Sequence, residues 1–196
     1  MKIILASGSP RRNELLRALG WQFSVEISGA KENPVSGERP EDMVCRLARL
    51  KAESVYAGKG DSWVVGADTA VVIDDEILGK PNDADDAERM ISKLSGREHS
   101  VFTGVALLSP DGGSLVDFEE TRVTFRDLSP AEVREYVSLG ESMDKAGAYA
   151  IQGTGMLLVK EIAGCYFNVV GLPIYLLSDM FAKLGFPLIE QWRLKL

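Results

Sequence analysis

The run Trp63 to Pro81, WVVGADTAVVIDDEILGKP, limits the possible folds more than any other stretch of the chain. Trp63, Val64, Val65 and then Ala70, Val71, Val72 and Ile73 are aromatic, β-branched or small, as a buried strand requires, and Asp74-Asp75 reads as a turn. Asp68 interrupts this apolar run. An unpaired carboxylate there costs several kcal/mol unless cations, a metal or hydrogen bonds meet it. Two readings follow: Asp68 caps a bend between two short strands through backbone N–H groups, or it is the anionic centre of a site.

The rest of the chain offers cations at the ends of elements. Lys2 to Ala6 reads as a buried strand, and Ser7-Gly8-Ser9-Pro10 turns it into a helix, with Ser9 at the N-cap, Pro10 at the first helical position and Gly20 at the end. A strand, turn and helix in this order gather free N–H groups and the positive end of a dipole, to which Arg11 and Arg12 add full charges. Paired arginines also decorate ordinary first turns, but cations there oppose the macrodipole, so stability alone does not select them.

Phe23 to Ile27 reads as a second strand, and the polar loop Ser28 to Arg39 carries Glu32, which no periodicity singles out. Pro40 opens a helix in which Val44, Ala48, Lys51 and Val55 share one face. Lys51 on that inward row either snorkels to its edge or reaches a buried anion such as Asp68.

After the central run, Asn82-Asp83 caps a helix with Ala84, Ala87, Ile91 and Leu94 inward, stopped by Ser95-Gly96. Val101 to Leu108 and Leu115 to Phe125 form a hairpin around Pro110-Asp111-Gly112-Gly113. The single histidine, His99, is placed just before it at a strand edge, and one histidine cannot build a metal site. Ser129-Pro130-Ala131-Glu132 is a capping box, and the helix after it turns Val133, Tyr136 and Val137 inward and stops at Gly140. The Gly- and Ala-rich stretch 143–155 lets backbone approach a ligand closely and offers Asp144, Lys145 and Gln152. Met156 to Ile162 reads as a strand, and a last helix runs through Leu177, Phe181 and Leu184.

With 196 residues, 45% of them hydrophobic, the chain can bury one core, and we expect a single domain over 1–196. A net charge of -7 argues against a nucleic-acid or anionic-membrane surface. Any anionic ligand must then meet a local cluster of cations. Cys45 and Cys165 have neither zinc-site nor disulfide-framework spacing, which fits a reducing compartment. No run reaches the ~18 apolar residues of a membrane span, and the N-terminal run is too short for a secretory signal, so a cytoplasmic protein is expected.

Ser7, Ser9, Arg11, Arg12, Glu32, Lys51, Asp68, Lys80, Asp144, Lys145 and Gln152 contain more cations than carboxylates, inside an acidic chain. That asymmetry points to a polyanion such as a nucleoside triphosphate. Gly79-Lys80-Pro81 is no Walker loop, because no Gly stands five residues before Gly79 and Pro81 replaces the Ser or Thr.

The segments SGSPRRNELL at 7–16, RLARLKA at 46–52, GADTAVVIDDEILGKP at 66–81, LSGREHSVFTGVAL at 94–107, DKAGAYAIQG at 144–153 and NVVGLP at 168–173 closely resemble the Maf family, in register from about residue 3 to about residue 180. The resemblance implies an α/β fold similar to the inosine triphosphate pyrophosphatases: a long mixed β-sheet flanked by helices, with a deep cleft. It implies hydrolysis of a nucleoside triphosphate between the α- and β-phosphates, with a divalent metal, Mg²⁺ or Mn²⁺, and a homodimer.

By position, Asp68 resembles the family's proton acceptor, Glu32 its second acidic residue, and Lys51 and Lys80 its essential lysines. Asp68 and Glu32 would hold the metal. Ser7, Ser9, Arg11 and Arg12 fall in its phosphate-side motif, and Arg11, Thr69 and Gln152 resemble the base-reading pattern of its dTTP and UTP pyrophosphatases. Two alternatives stay open: a nucleotide-binding regulator of septum formation, with which the family is associated by name, and the same chemistry on 7-methyl-GTP or another purine triphosphate.

Overall fold

In a computed structural model, residues 2–57 and 61–194 are described. The elements are β1 (Ile3–Ala6), α1 (Pro10–Ala18), β2 (Ser24–Val25), α2 (Pro40–Tyr56), β3 (Trp63–Ile73), β4 (Glu76–Leu78), α3 (Ala84–Leu94), β5 (Glu98–Leu108), β6 (Ser114–Phe125), α4 (Pro130–Ser138), β7 (Val159–Ala163), α5 (Tyr166–Val170), α6 (Ile174–Lys183) and α7 (Leu188–Trp192). They build a seven-stranded mixed sheet in the order β2-β1-β3-β5-β6-β7, with β4 paired to β3. The expected α/β class, a mixed sheet with helices, is what forms.

The chain divides into two compact units, residues 1–68, 103–119 and 171–196 in the first and 69–102 and 120–170 in the second. In the first unit β1 lies parallel to both β2 and β3, pairing Ile4 with Ser24 and Val64. Parallel strands covered on both faces must be apolar on both. Accordingly Ile3, Leu5, Trp63, Val65, Ala67, Val105 and Leu107 pack with Leu16 of α1 and Leu177 and Phe181 of α6. The alternate residues Ile4, Ala6, Val64, Ala106 and Leu108 pack instead with Ala48, Ala52 and Val55 of α2. Even-numbered residues of β3 therefore face α2, and this alternation aims Asp68.

In the second unit β4 returns antiparallel on β3, pairing Val71 with Leu78, through a tight turn at Asp74 and Asp75 whose φ angles are 51° and 60°. Its core joins Val71, Ile73, Leu78, Ile91, Leu94, Val123, Phe125, Val133, Tyr136 and Tyr149. Asp83 caps α3 by accepting from the Asp86 N–H, and the capping box at Ser129 and Glu132 forms.

Several elements depart from expectation. β3 runs unbroken through Asp68, so no bend stands there. Ser9 occupies the N-cap of α1 without a side-chain capping bond. Ala84 is exposed, with Met90 taking the inward place, because the first turn of α3 projects beyond the core. His99 lies inside β5 and is buried, not at an edge before it. Met156 and Leu157 belong to a 3-10 turn, exposed, and the strand starts later at Val159. No helix among the described residues is long and apolar enough to cross a membrane.

Candidate active site

The first unit carries an anionic pair gripped by one lysine. Lys51, on the α2 face that packs the sheet, donates from Nζ to Asp68 Oδ1 at 2.6 Å and lies 3.0 Å from Glu32 Oε1. The Lys51 and Asp68 side chains are each 14% exposed and that of Glu32 is 47% exposed, so the pair sits at the rim of the core with the loop carboxylate outside it. Of the two readings of Lys51, the structure gives the reach to an anion.

The approach of α2 depends on glycine. A Cβ at Gly66 would stand 2.3 Å from the Ala48 carbonyl oxygen and 2.8 Å from the Ala52 nitrogen, and one at Gly104 would stand 2.3 Å from the Val44 carbonyl oxygen. Gly66 and Asp68 share a strand face, so the position that admits the helix backbone is next in line to the one that meets its lysine. Sequence reasoning singles out neither glycine as a packing device, although a lone Gly inside a strand pattern signals close backbone approach.

Arg12 comes to the other side of β3. Its Nε donates to the Gly171 carbonyl at 2.6 Å, and its Nη1 donates to the Ala67 carbonyl at 2.9 Å and to Ser7 Oγ at 3.2 Å. Burial pulls this guanidinium below its usual range, and Asp68 is the charge that most opposes the shift. Arg12 thus ties the turn after β1, the middle of β3 and the start of the 171–196 segment together. Ser7 Oγ also accepts from the Ser9 N–H at 3.2 Å, which leaves its O–H as the group it can offer a ligand. Ser9 is half-buried, and so is Arg11, beside Arg12 in the first turn of α1.

In the second unit Lys80 is exposed on the loop after β4, and the Gly79 carbonyl accepts from the Gly147 N–H at 3.0 Å. That bond ties the Lys80 loop to the segment 144–153, which holds half-buried Gln152. The same segment is pinned from beneath, where buried Tyr149 Oη and His99 Nε2 are 2.8 Å apart and Phe125 packs edge-on to both rings. Lys145 is taken up by the Glu141 carbonyl and by Asp144 Oδ1, so neither Asp144 nor Lys145 joins Lys80 as an available charge. Thr69, half-buried, follows Asp68 on β3 with its side chain on the opposite strand face.

Among the described residues no three His, Cys, Asp or Glu side chains cluster as a metal cage. Asp68 and Glu32 share one ammonium, so the group keeps a net negative charge and two carboxylates as oxygen donors. Mg²⁺ keeps several waters and takes one or two carboxylates together with substrate phosphates, so this donor set fits a hard divalent ion that arrives with a nucleotide.

Residues 2–184 match the family model described as Maf-like protein. Among curated relatives, the dTTP/UTP pyrophosphatase of Geotalea uraniireducens is 50% identical over 93% of this chain and 95% of its own. That of Pelotomaculum thermopropionicum is 46% identical over 94% of this chain and 97% of its own. Of solved structures, the Ham1 protein of Staphylococcus aureus gives a TM-score of 0.47 at 15% identity, covering 65% of this chain and 73% of that one. A match that spans the β1–α1 turn, the Lys51 helix, the Asp68 strand and the Gln152 segment alike makes this chain a member of the Maf family.

Proposed function

We propose that this protein hydrolyses dTTP and UTP between the α- and β-phosphates, giving the monophosphate and pyrophosphate. The observation that carries the reading is the convergence of Asp68 and Glu32 on Lys51 at 2.6 and 3.0 Å in a chain whose half-identical relatives are named dTTP/UTP pyrophosphatases.

In this reading Asp68 accepts the proton of the water that attacks the α-phosphorus, and Lys51 holds the carboxylate in place for it. The Ser7 O–H donates to a phosphate oxygen, while Arg11 and Lys80 neutralise charge that moves onto the departing pyrophosphate. Arg12 shapes the phosphate side from behind, since two of its N–H groups already serve protein carbonyls. A Mg²⁺ or Mn²⁺ ion held by Asp68 and Glu32 would supply further charge neutralisation of the phosphates. Thr69 and Gln152 choose the base. The expected homodimer and cytoplasmic setting belong to the same proposal and are checked by sedimentation and by fractionation.

The test measures pyrophosphate release from a panel of triphosphates with Mg²⁺ or Mn²⁺. Wild-type protein is expected to prefer dTTP and UTP, and Asp68→Asn to abolish release without unfolding. Activity that survives Asp68→Asn refutes its role as base; binding without turnover by the wild type favours a nucleotide-binding regulator.

A further inference from the structure

The segment that carries Glu32 is laced along α2 at three places. Ser28 Oγ lies 2.9 Å from Ser54 Oγ, Glu32 Oε1 lies 3.0 Å from Lys51 Nζ, and Arg46 donates from Nε and Nη2 to the two carboxylate oxygens of Glu38, each at 2.6 Å. Segment numbers rise as helix numbers fall, so the strap runs antiparallel to α2 with Glu32 near its middle.

Among the described residues no helix or strand of its own holds Glu32. Between β2 and α2 there is neither helix nor strand, and Ile27 and Val35 are exposed. Ordering such backbone costs more over several residues than a single contact from a part-exposed carboxylate to a lysine returns. The Glu38–Arg46 pair is of another kind. It is two-pronged, and the Glu38 side chain is 12% exposed and that of Arg46 33%. The hydrogen bond from Arg46 holds the Glu38 carboxyl below its usual range, and the same bond raises Arg46.

We propose that Glu38 and Arg46 are a positioning pair, a clamp that fixes the strap 28–38 on α2 so that Glu32 stands beside Lys51 and Asp68 for the reaction. In this proposal both act through Glu32. The inference rests on the role given to Glu32 in the proposed function, and its test separates the two.

Glu38→Gln keeps the shape of the side chain and loses the charge that the guanidinium fork needs; Arg46→Met removes the fork. Wild type and both variants are compared by dTTP turnover, melting temperature and amide hydrogen exchange. Expected are faster exchange confined to residues 28–38, a melting temperature close to wild type in Glu38→Gln, and a fall in kcat of about tenfold or more with KM little changed. Unchanged exchange in Glu38→Gln overturns the clamp, and so does faster exchange with unaltered kcat. Should Arg46→Met fail to fold, Glu38→Gln decides alone. If the wild type releases no pyrophosphate, the proposed function fails, and exchange over 28–38 still upholds or overturns the clamp.

Discussion

Lys51 Nζ and Asp68 Oδ1 meet at 2.6 Å because the backbone of α2 lies against Gly66, two residues before Asp68 on the same face of β3. The short helix–strand distance and the ion pair are one geometric fact. A lysine on a helix held further out would have to abandon either the packing or the aspartate.

Gly66→Ala tests this. The added methyl meets backbone atoms at 2.3 and 2.8 Å, which cannot swing aside as a side chain can, so α2 must shift. We expect a loss of about 1–3 kcal/mol in urea unfolding, as for other overpacked cores, together with a lower kcat. Gly79→Ala, whose methyl meets nothing within 4 Å, should leave stability unchanged. Equal unfolding midpoints for the two variants would show that α2 is not seated as described.

Where side-chain period governs, the chain is legible. The inward row of α2 places Lys51, the Asp83 cap marks α3, the capping box at Ser129 marks α4, and four consecutive apolar residues make β1 a strand buried on both faces. What is illegible depends on partners distant in sequence. β3 passes straight through Asp68 because its charge is met by a lysine 17 positions earlier, so no local bend is needed. Arg12 reads as a ligand-binding cation, yet its N–H groups go to carbonyls of Ala67 and Gly171, and a backbone oxygen leaves no mark in composition. Glu32 sits in a loop without period, and its partner Lys51, like the Ser28–Ser54 and Glu38–Arg46 contacts on either side, lies on α2, away from it in sequence. His99 looks like an edge residue until Tyr149, 50 positions on, supplies its partner.

His99 gives the fold a pH dependence. Burial lowers its pKa from 6.5 to about 4, so the folded protein keeps it neutral where the unfolded chain protonates it. Its contribution is full above pH 6.5 and is lost as pH falls toward 4, on the order of 3 kcal/mol in all. Urea unfolding of wild type between pH 7.5 and 4.5 should therefore fall more steeply than that of His99→Gln, which has no imidazole to protonate. Parallel curves would mean that His99 takes up its proton equally in both states.

The turn between β3 and β4 holds Asp74 and Asp75 at φ 51° and 60°, a left-handed pair that suits glycine at its second place. Asp74 is engaged by Arg97 at 2.5 Å, so the position to change is Asp75. Asp75→Gly removes the steric cost of that conformation and returns part of it as unfolded-state entropy, a net gain of roughly 0.5–1 kcal/mol. Differential scanning calorimetry should show a higher melting temperature, and a lower one would mean that Asp75 makes a compensating contact.

Base choice is the most discriminating check on the proposed function. The Gln152 amide offers one donor and one acceptor, which matches the O4 and N3–H edge shared by uracil and thymine. Gln152→Glu keeps length and shape but offers acceptors alone, so O4 loses its donor while the N3–H bond survives. A lost hydrogen bond in a closed pocket costs about 1–3 kcal/mol, so kcat/KM for dTTP and UTP should fall about tenfold or more. CTP presents an amino group where the other two present O4, and its kcat/KM should fall less or rise. Thr69→Val, which deletes a hydroxyl at constant shape, should likewise move the ranking of substrates more than the best rate. If both variants keep the wild-type order of dTTP, UTP and CTP, the base is read elsewhere, and the proposal is left with the phosphate chemistry it assigns to Lys51 and Asp68.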